Sequence, residues 1–418
     1  PYPSLLDPKK LNDEKEEINY KTIPAELAWE MNLPLPDNYE FVWFFNCCSG
    51  SNAMYRFFEY CNITAKAHPA LTGEVMYKDM YFYMNNSKYS IAVIPPFMQN
   101  FYHNDRHMND KLLHLYHKAT DVIFIARDPI SICKTSLNHI NNPKVWESIT
   151  FDMRYVDLNK KSQFSFPQMF YAFSEGVPNI EDLYKVINFG EFLFTIDRRI
   201  AFLKKNIKNI KCLDFSQINY DNAYNTFLKL SKDYNFSVPK NPSIFQNRVD
   251  SDNGSLIVLP VELFYVYRDR KITFLVTTEQ LIILNPNKDK YKNITANIIN
   301  FNFKYRNVIV LLNFDDWKLI KDNKNLFFNC RKKIQEYLIA LEKNEEKIIK
   351  NALTERDILN YLKENKAMRI ALKKYIDNNF NYVRENHPEY ISKWKYYQEF
   401  EKMCEELDKQ EVDKRDLK

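Results

Sequence analysis

The chain has 418 residues, of which 45% are hydrophobic and 15% aromatic, so it contains enough apolar surface for a core spread over two or three units. Its 59 basic and 54 acidic residues leave a formal net charge of +5, which argues against a protein built mainly to coat nucleic acid. The sequence shows no apolar run near the roughly 20 residues of a membrane-spanning helix. No transmembrane segment is therefore expected. The 7 cysteines form no Cys-x-x-Cys pair, and we expect them to be reduced thiols in a cytoplasmic protein.

The first part of the chain divides into an arm and a domain. Residues 1–38 are punctuated by proline and are expected to pack as an arm on the domain that follows. From residue 39 to 245, continuous apolar runs alternate with helical patterns. The runs predict buried strands at residues 40–46, 89–97, 121–129 and 209–216. This alternation is typical of an α/β fold in which helices cover both faces of a parallel sheet.

The second part of the chain has a different sequence pattern. Residues 246–320 are rich in β-type runs and predict a β-containing subdomain inserted after the α/β domain. Residues 321–418 predict a charged, helical region in which Thr354-x-x-Asp357 is typical of a capping box. An apolar stripe in this region predicts a packing face, with oligomerisation through the C-terminal helices as the alternative. The stripe consists of Trp394, Tyr397, Phe400, Cys404 and Leu407.

The loop after the first predicted strand reads Cys-Cys-Ser-Gly-Ser-Asn, over residues 47–52. A helix N-terminus offers free backbone N–H groups and a partial positive charge, and a glycine lets a phosphate approach that backbone. Cys48, Ser49, Gly50, Ser51 and Asn52 are therefore candidates for binding a phosphate. The structural alternative is that one of the last two caps the helix while the glycine eases the turn.

Arg127 stands at the end of the third predicted strand, and the Asp-Pro that follows it in the next loop is a favourable helix start. Ser131, Thr135 and Ser136 follow along that helix, and a guanidinium together with hydroxyl groups suits a phosphate. The alternative is that the arginine pairs with a nearby acid and Ser131 is solvated. Since parallel strands end at one edge of a sheet, both loops are predicted to form a single nucleotide site, and no metal is predicted.

Catalysis at the predicted nucleotide site would need a general base. His68 and His103 are the main candidates, because imidazole titrates near neutral pH. Glu74 and Asp79 are further candidates in the same part of the chain. The structural alternative for each is an ordinary surface residue.

Together these loops resemble those of the sulfotransferase-like P-loop proteins, over residues 40–240. In that family the donor 3′-phosphoadenosine 5′-phosphosulfate lies between a loop reading Lys/Arg-Ser-Gly-Thr/Ser-Thr and an Arg-Asp-Pro with a Ser two helical turns farther on. Residues 48–52 align with the first loop, and residues 127–136 align with the second. The resemblance implies a transferase of a sulfuryl or phosphoryl group. Cys48 stands where the family has its cation, and Lys66, Lys78 and Arg56 are the candidates to replace that cation.

The whole sequence also resembles a paralogous family of epsilonproteobacterial proteins. The stretches PYPSLLDPKKLN, IPAELAWEMNLPLPDNYEFV, ARDPIS and SKWKYYQEFEKMCEELD carry this resemblance. Members tend to accompany genes for surface-glycan and flagellin modification. This association implies a glycan acceptor, and a location in the cytoplasm or at the inner face of the membrane beside glycan-assembly machinery.

The expected function is transfer of a small anionic group from a nucleotide donor, PAPS-like or CDP-linked, to a hydroxyl of a bacterial surface glycan. Two alternatives stay open. The first is a phosphoramidate transferase that uses a cytidine nucleotide in capsule modification, which would suit a loop lacking the usual lysine. The second is a non-catalytic scaffold with a degenerate P-loop fold that binds a glycan or a partner.

Overall fold

A computed structural model of the chain describes residues 20–66, 71–96, 106–139, 155–159, 164, 166, 174, 176–188, 193–246, 259–278, 288–305 and 308–416. The chain forms two compact units. The first unit comprises Pro1–Ser136, Ile180–Gln246 and Thr354–Lys418. The second comprises Leu137–Asn179 and Asn247–Leu353.

The strands are, in chain order, β1 (Val42–Phe44), β2 (Ala92–Ile94), β3 (Thr120–Ala126), β4 (Tyr155–Asp157), β5 (Ile207–Asp214), β6 (Val261–Tyr267), β7 (Arg270–Thr278), β8 (Tyr291–Asn293) and β9 (Val308–Asn313). The helices of the first half are α1 (Ala25–Glu30), α2 (Ser51–Tyr60), α3 (Gly73–Asn86), α4 (Arg106–His114), α5 (Pro129–Leu137), α6 (Leu183–Asn188), α7 (Ile196–Leu203) and α8 (Ala223–Tyr234). Those of the second half are α9 (Thr295–Ile298), α10 (Phe314–Lys321), α11 (Lys324–Lys350), α12 (Glu355–Glu364), α13 (Lys366–Asn379), α14 (Asn381–Asn386), α15 (Pro388–Ile391) and α16 (Lys395–Asp416). Short 3₁₀ helices cover Ile180–Asp182, Lys204–Asn206, Phe215–Ile218, Pro242–Gln246 and Lys288–Lys290.

The first unit is built on a four-stranded parallel sheet in the order β2-β1-β3-β5. Val42 of β1 pairs with Ala92 on one side and with Val122 on the other, while Phe124 pairs with Cys212. Every residue of β1 and every residue of β3 except Asp121 is buried, as their apolar runs predict for a sheet covered on both faces. The expected α/β fold, with a parallel sheet flanked by helices and a helical C-terminal region, is confirmed.

The carboxyl ends of β1, β3 and β5 lie side by side because of this strand order. The loop after β1 therefore neighbours the loop after β3, and the 3₁₀ helix Phe215–Ile218 follows directly at the end of β5. This edge of the sheet is where ligands of open parallel sheets bind.

The C-terminal helices from Thr354 onward belong to the first unit, although the sequence analysis treated residues 321–418 as one separate region. The predicted capping box of Thr354 and Asp357 is present at the start of α12. The apolar stripe is a packing face, since its first four members, from Trp394 to Cys404, are buried. This explains the division of the chain: residues 354–418 complete the core of the α/β unit.

The second unit contains a five-stranded sheet in the order β4-β6-β7-β9-β8. β4 pairs with β6 in parallel, and the other pairs are antiparallel. Alternate residues of β7 and β9, such as Phe274 and Val310, form one core with Ile334 and Leu338 of α11. The expected β-rich segment thus forms a sheet, to which β4 adds a strand from within the range assigned to the α/β domain.

The described part of the N-terminal arm packs on α3. Tyr81 Oη donates hydrogen bonds to the carbonyl oxygens of Tyr20 and Ile23, each at 2.9 Å. The Trp29 ring lies 5.2 Å from that of Tyr77. Among the residues that the structure describes, no helix is both long and apolar enough to cross a membrane.

Candidate functional site

The loop after β1 is held by its own polar groups. The side chain of Asn46 donates from Nδ2 to the carbonyl oxygen of Ile125 in β3, at 2.9 Å. Ser51 Oγ donates back to the carbonyl oxygen of Asn46, and both serines of the loop, Ser49 and Ser51, are buried. These hydroxyl groups therefore fix the loop from inside, while Asn52 presents an exposed side chain at the start of α2.

Gly50 is the N-cap residue of α2, in the left-handed region at φ 85°. No side chain caps this helix, so the alternative in which Ser51 or Asn52 acts as the cap does not apply. A Cβ at residue 50 would lie 2.6 Å from Ile218 Cδ1 and 3.0 Å from Phe215 Cε2. The glycine is thus required by backbone conformation and by close packing on the end of β5, which is a different reason from the predicted clearance for a phosphate.

Arg127 faces the loop after β1, as predicted. Its Nη1 donates a hydrogen bond to the carbonyl oxygen of Cys48 at 2.6 Å, and its guanidinium lies 4.2 Å from the centroid of the Phe215 ring. Burial lowers the pKa of Arg127 from its usual value, and a guanidinium stays charged at neutral pH even so. The two predicted loops therefore meet at one positive charge, which is half-buried.

The acid after Arg127 has a different role. Asp128 Oδ1 accepts from the backbone N–H groups of Ile130 and Ser131 at the start of α5. Its Oδ2 accepts from those of Tyr396 and Tyr397 at the start of α16, both at 3.1 Å. Burial raises the pKa of Asp128, and the four hydrogen bonds act in the opposite direction. One carboxylate thus caps two helices and is committed to the fold.

The hydroxyl groups of α5 do not converge on Arg127 as a set. Ser131 Oγ donates to Glu355 Oε1 at 2.9 Å, and Lys134 Nζ forms an ion pair with the same oxygen at 3.2 Å. Ser136 is buried and hydrogen-bonded to the thiol of Cys48, whereas Thr135 is half-buried. Ser136 therefore belongs to the loop contacts, and Ser131 belongs to a cluster with Glu355 that the sequence analysis did not predict.

The adjacent thiols of Cys47 and Cys48 are half-buried. Burial raises the pKa of Cys48 to about 12, although Arg127 and the hydrogen bond with Ser136 favour the thiolate. Burial also raises the pKa of the Cys47 thiol. Both thiols are therefore neutral at pH 7, and a neutral thiol is a weak nucleophile and metal ligand. Within the described ranges, no group of three His, Cys, Asp or Glu residues is arranged to hold a metal ion.

The predicted catalytic bases His68 and His103 lie outside the described residues. The two carboxylate candidates are both on α3, in ion pairs at the surface. Glu74 lies 2.7 Å from Lys78, and Asp79 lies 3.5 Å from Lys66.

The cations proposed to replace a lysine at position 48 are paired elsewhere. Lys66 and Lys78 neutralise the acids of α3, and Arg56 pairs with Glu59 along α2 at 2.8 Å. A different cation, Arg199 of α7, contacts the loop. Its Nη2 donates to Asn46 Oδ1, and its Nη1 donates to the carbonyl oxygen of Phe45 at 2.9 Å.

A signal for Arg199 was present in the sequence. The buried residues of α7 are Ile196, Arg199 and Leu203, so the arginine occupies the apolar face at helical spacing. Ile200 of the same helix is only half-buried. A charged residue at a core position of a short helix needs hydrogen-bond partners inside the protein, and here these partners are the strand ends.

The fold and this geometry define an α/β protein with two polar loops joined at the carboxyl edge of a parallel sheet. Residues 212–407 match a family model described as protein of unknown function (DUF2972). A search of curated proteins and a search of solved structures each found no significant match to the chain. The matched span includes Glu355 and the end of β5, but neither the loop after β1 nor Arg127.

Proposed function

We propose that the chain is a group transferase that binds the phosphates of a nucleotide donor where β1 and β3 end. The observation that supports this most strongly is the 2.6 Å contact between Arg127 Nη1 and the carbonyl oxygen of Cys48. It brings a guanidinium to the loop that leads into α2, whose first turn has no side-chain cap and no acidic residue. Free backbone N–H groups and a nearby guanidinium suit an oxyanion.

The residues that would hold the donor are fewer than the sequence suggested. The backbone N–H groups at the start of α2, the exposed side chain of Asn52 and the guanidinium of Arg127 are suited to the phosphates. Ser49 and Ser51 would support the loop from inside, and Cys48 would contribute its backbone. We assign no donor contact to Ser131, because its hydroxyl is bonded to Glu355.

In the proposed reaction, a hydroxyl oxygen of the acceptor forms a bond to the sulfur or phosphorus of the transferring group. The bond from that atom to the nucleotide oxygen breaks, and a base accepts the hydroxyl proton, for which His68 and His103 are retained as candidates. Such reactions depend mainly on positioning and on stabilisation of negative charge. Arg127 would stabilise the charge on the nucleotide leaving group.

The donor class and the acceptor rest on the two resemblances. A PAPS-like donor follows from the loop pattern, and a CDP-linked donor follows from the absence of a lysine at Cys48. A surface glycan is the proposed acceptor. An enzyme of this kind would work in the cytoplasm or at the inner face of the membrane, beside glycan-assembly machinery.

A non-catalytic scaffold is the second candidate, and one observation favours it. Gly50 and Arg127 both contact the ring of Phe215, so the packing of the strand ends can explain these two residues without a ligand. On this account the strand ends are a structural junction, and glycan or partner binding would occur elsewhere.

Calorimetric titration with adenosine 3′,5′-bisphosphate, CDP and UDP tests the proposal. We expect wild-type protein to bind at least one of them, and Arg127→Ala to weaken that binding by roughly tenfold or more, as for loss of a charged hydrogen bond. Preference for the adenosine compound would indicate sulfuryl transfer, and preference for CDP would indicate a cytidine-linked donor.

Arg56→Ala is the matched control. It also removes a guanidinium from this part of the chain, but that guanidinium forms an ion pair with Glu59 on α2. Its affinity should stay within about twofold of wild type. If no nucleotide binds the wild-type protein, the transferase proposal is rejected and the scaffold is favoured.

A further inference from the structure

Arg199 is a buried cation whose partners are all neutral. The residue is only 4% exposed to solvent. Nη1 donates to the carbonyl oxygens of Phe45 and Ile94, at 2.9 and 2.7 Å, and Nε donates to that of Thr195 at 3.3 Å. Nη2 donates to Asn46 Oδ1. Among the described residues, no Asp or Glu forms an ion pair with this guanidinium.

These contacts use four of the five N–H donors of Arg199 but leave its charge unneutralised. A buried charge without a counter-charge is strongly unfavourable, and proteins normally pair it. Burial lowers the pKa of Arg199 to about 9, so the guanidinium is still charged at pH 7. The fold therefore retains a positive charge in its interior that an anion from outside would stabilise.

The position of this charge connects it to the loop after β1. Phe45 and Asn46 are the two residues between the end of β1 and the vicinal cysteines, and Ile94 ends β2. Arg199 thus joins the ends of two neighbouring strands at the residues from which the loop starts. Charges act over longer distances in a buried, low-dielectric site than in water, so an anion bound to this loop would experience the charge of Arg199.

We infer that Arg199 is the positioning residue and fixed positive charge of this anion site. The inference rests on the proposed function, since it assigns a charge to the same site. The ligand class is a phosphate or sulfate ester. Arg199 does not touch the ligand: it acts through the carbonyl of Phe45, the side chain of Asn46 and its charge.

Substitution of the partner rather than the arginine separates charge from structure. Asn46→Asp places a carboxylate on Arg199 Nη2 at nearly unchanged shape, which neutralises the guanidinium while an acceptor for it is kept. It also removes the hydrogen bond from Asn46 to Ile125, so urea unfolding must first confirm a folded variant. We expect Asn46→Asp to weaken binding of inorganic pyrophosphate, measured by calorimetry, by roughly tenfold or more.

Asn62→Asp is the matched control. It adds the same charge at an exposed residue after the other end of α2, at φ 56°, a conformation that Asp tolerates. Pyrophosphate affinity should stay within about twofold of wild type in this variant, because an exposed charge at that distance is screened.

A second pair of variants keeps the inference testable if Asn46→Asp does not fold. Arg199→Lys retains the charge but loses the fork of donors, whereas Arg199→Gln retains donors but loses the charge. We expect affinity within about threefold of wild type for the lysine variant and a loss of roughly tenfold for the glutamine variant. A purely structural role would weaken binding equally in both, and this would overturn the inference.

The titrations also distinguish this inference from the proposed function. If wild-type protein binds pyrophosphate and Asn46→Asp binds it equally well, the role of Arg199 is wrong while the donor site stands. If pyrophosphate binds and depends on Arg199 but no nucleotide binds, the anion site stands and the transferase is rejected. If wild-type protein binds neither, both are rejected.

Discussion

At the scale of one residue, two separate constraints require glycine at residue 50. Its φ of 85° lies where a side chain is strained, and its Cα faces Ile218 and Phe215 at distances that leave no room for a methyl group. In a chain with 5 glycines, this placement reflects the junction of β1, α2 and the end of β5. A substitution at this residue therefore disturbs the fold whether or not a ligand binds.

We predict that Gly50→Ala lowers the free energy of unfolding by about 2–4 kcal/mol, from left-handed strain and overpacking together. Urea denaturation measures this loss. Ile218→Val removes the Cδ1 atom that the new methyl group would meet. In the Ile218→Val background, the loss of unfolding free energy caused by Gly50→Ala should be smaller by roughly 0.5 kcal/mol or more in a double-mutant cycle. An equal loss of stability in both backgrounds would show that Ile218 does not restrict the size of the side chain at residue 50.

The sequence allowed the loops to be predicted but not their partners. The position of Gly50 and that of Arg127 follow from a local pattern, an apolar strand that ends in a polar turn before a helix. Phe215, Glu355 and Arg199 reach the same loops from distant parts of the chain, and local periodicity contains no information about such contacts. Of these three residues, only Arg199 carries a local signal, because it is a charged residue on an apolar helical face.

At the scale of elements, Asp128 couples two helices that are far apart in sequence. Its carboxylate accepts from the first turns of α5 and α16, so the end of β3 fixes the C-terminal helix. Trp394 Nε1 adds a hydrogen bond to Asp214 Oδ2 at the end of β5, at 2.8 Å. The C-terminal helices are thus anchored to two neighbouring strand ends. Their amphipathic pattern predicted a packing face but not this place of attachment.

Asp128→Ser should separate the two caps. Serine is a good N-cap for α5, but its single hydroxyl is too short to serve α16 as well. We expect a loss of about 1–3 kcal/mol of stability from the two unsatisfied N–H groups. In hydrogen exchange, the amides of Tyr396 and Tyr397 should lose protection while that of Ile130 keeps it. Unchanged protection at α16 would contradict the double cap.

Glu355 at the start of α12 competes electrostatically with an anion at the proposed site. Burial favours its neutral form, but its own backbone N–H, Lys134 and Ser131 hold its pKa below the usual value. It is therefore a carboxylate at neutral pH, and it acts on Arg127 as a negative charge.

We predict that Glu355→Gln raises the affinity for pyrophosphate by about threefold, because it removes this negative charge and frees Lys134 from its ion pair. The glutamine keeps an acceptor for Ser131, so the fold is retained. Calorimetric titration measures the change. A lower affinity would mean that Glu355 supports the site rather than opposing an anion.

At the scale of the whole molecule, the net charge is distributed unevenly. The ranges of the second unit contain 22 basic and 17 acidic residues, whereas those of the first unit contain 37 of each. The unit with the proposed anion site thus has no net charge of its own. Attraction of a phosphate must come from particular cations at the strand ends, Arg127 and Arg199, rather than from a general basic field.

The most direct measurement of the central claim is a crystal structure of the protein with pyrophosphate or the nucleotide that binds best. Our account predicts the phosphate at the N-terminus of α2, within hydrogen-bond distance of the backbone N–H groups around residues 50–52 and of the Arg127 guanidinium. A phosphate bound elsewhere, with Arg127 still donating only to Cys48, would contradict it.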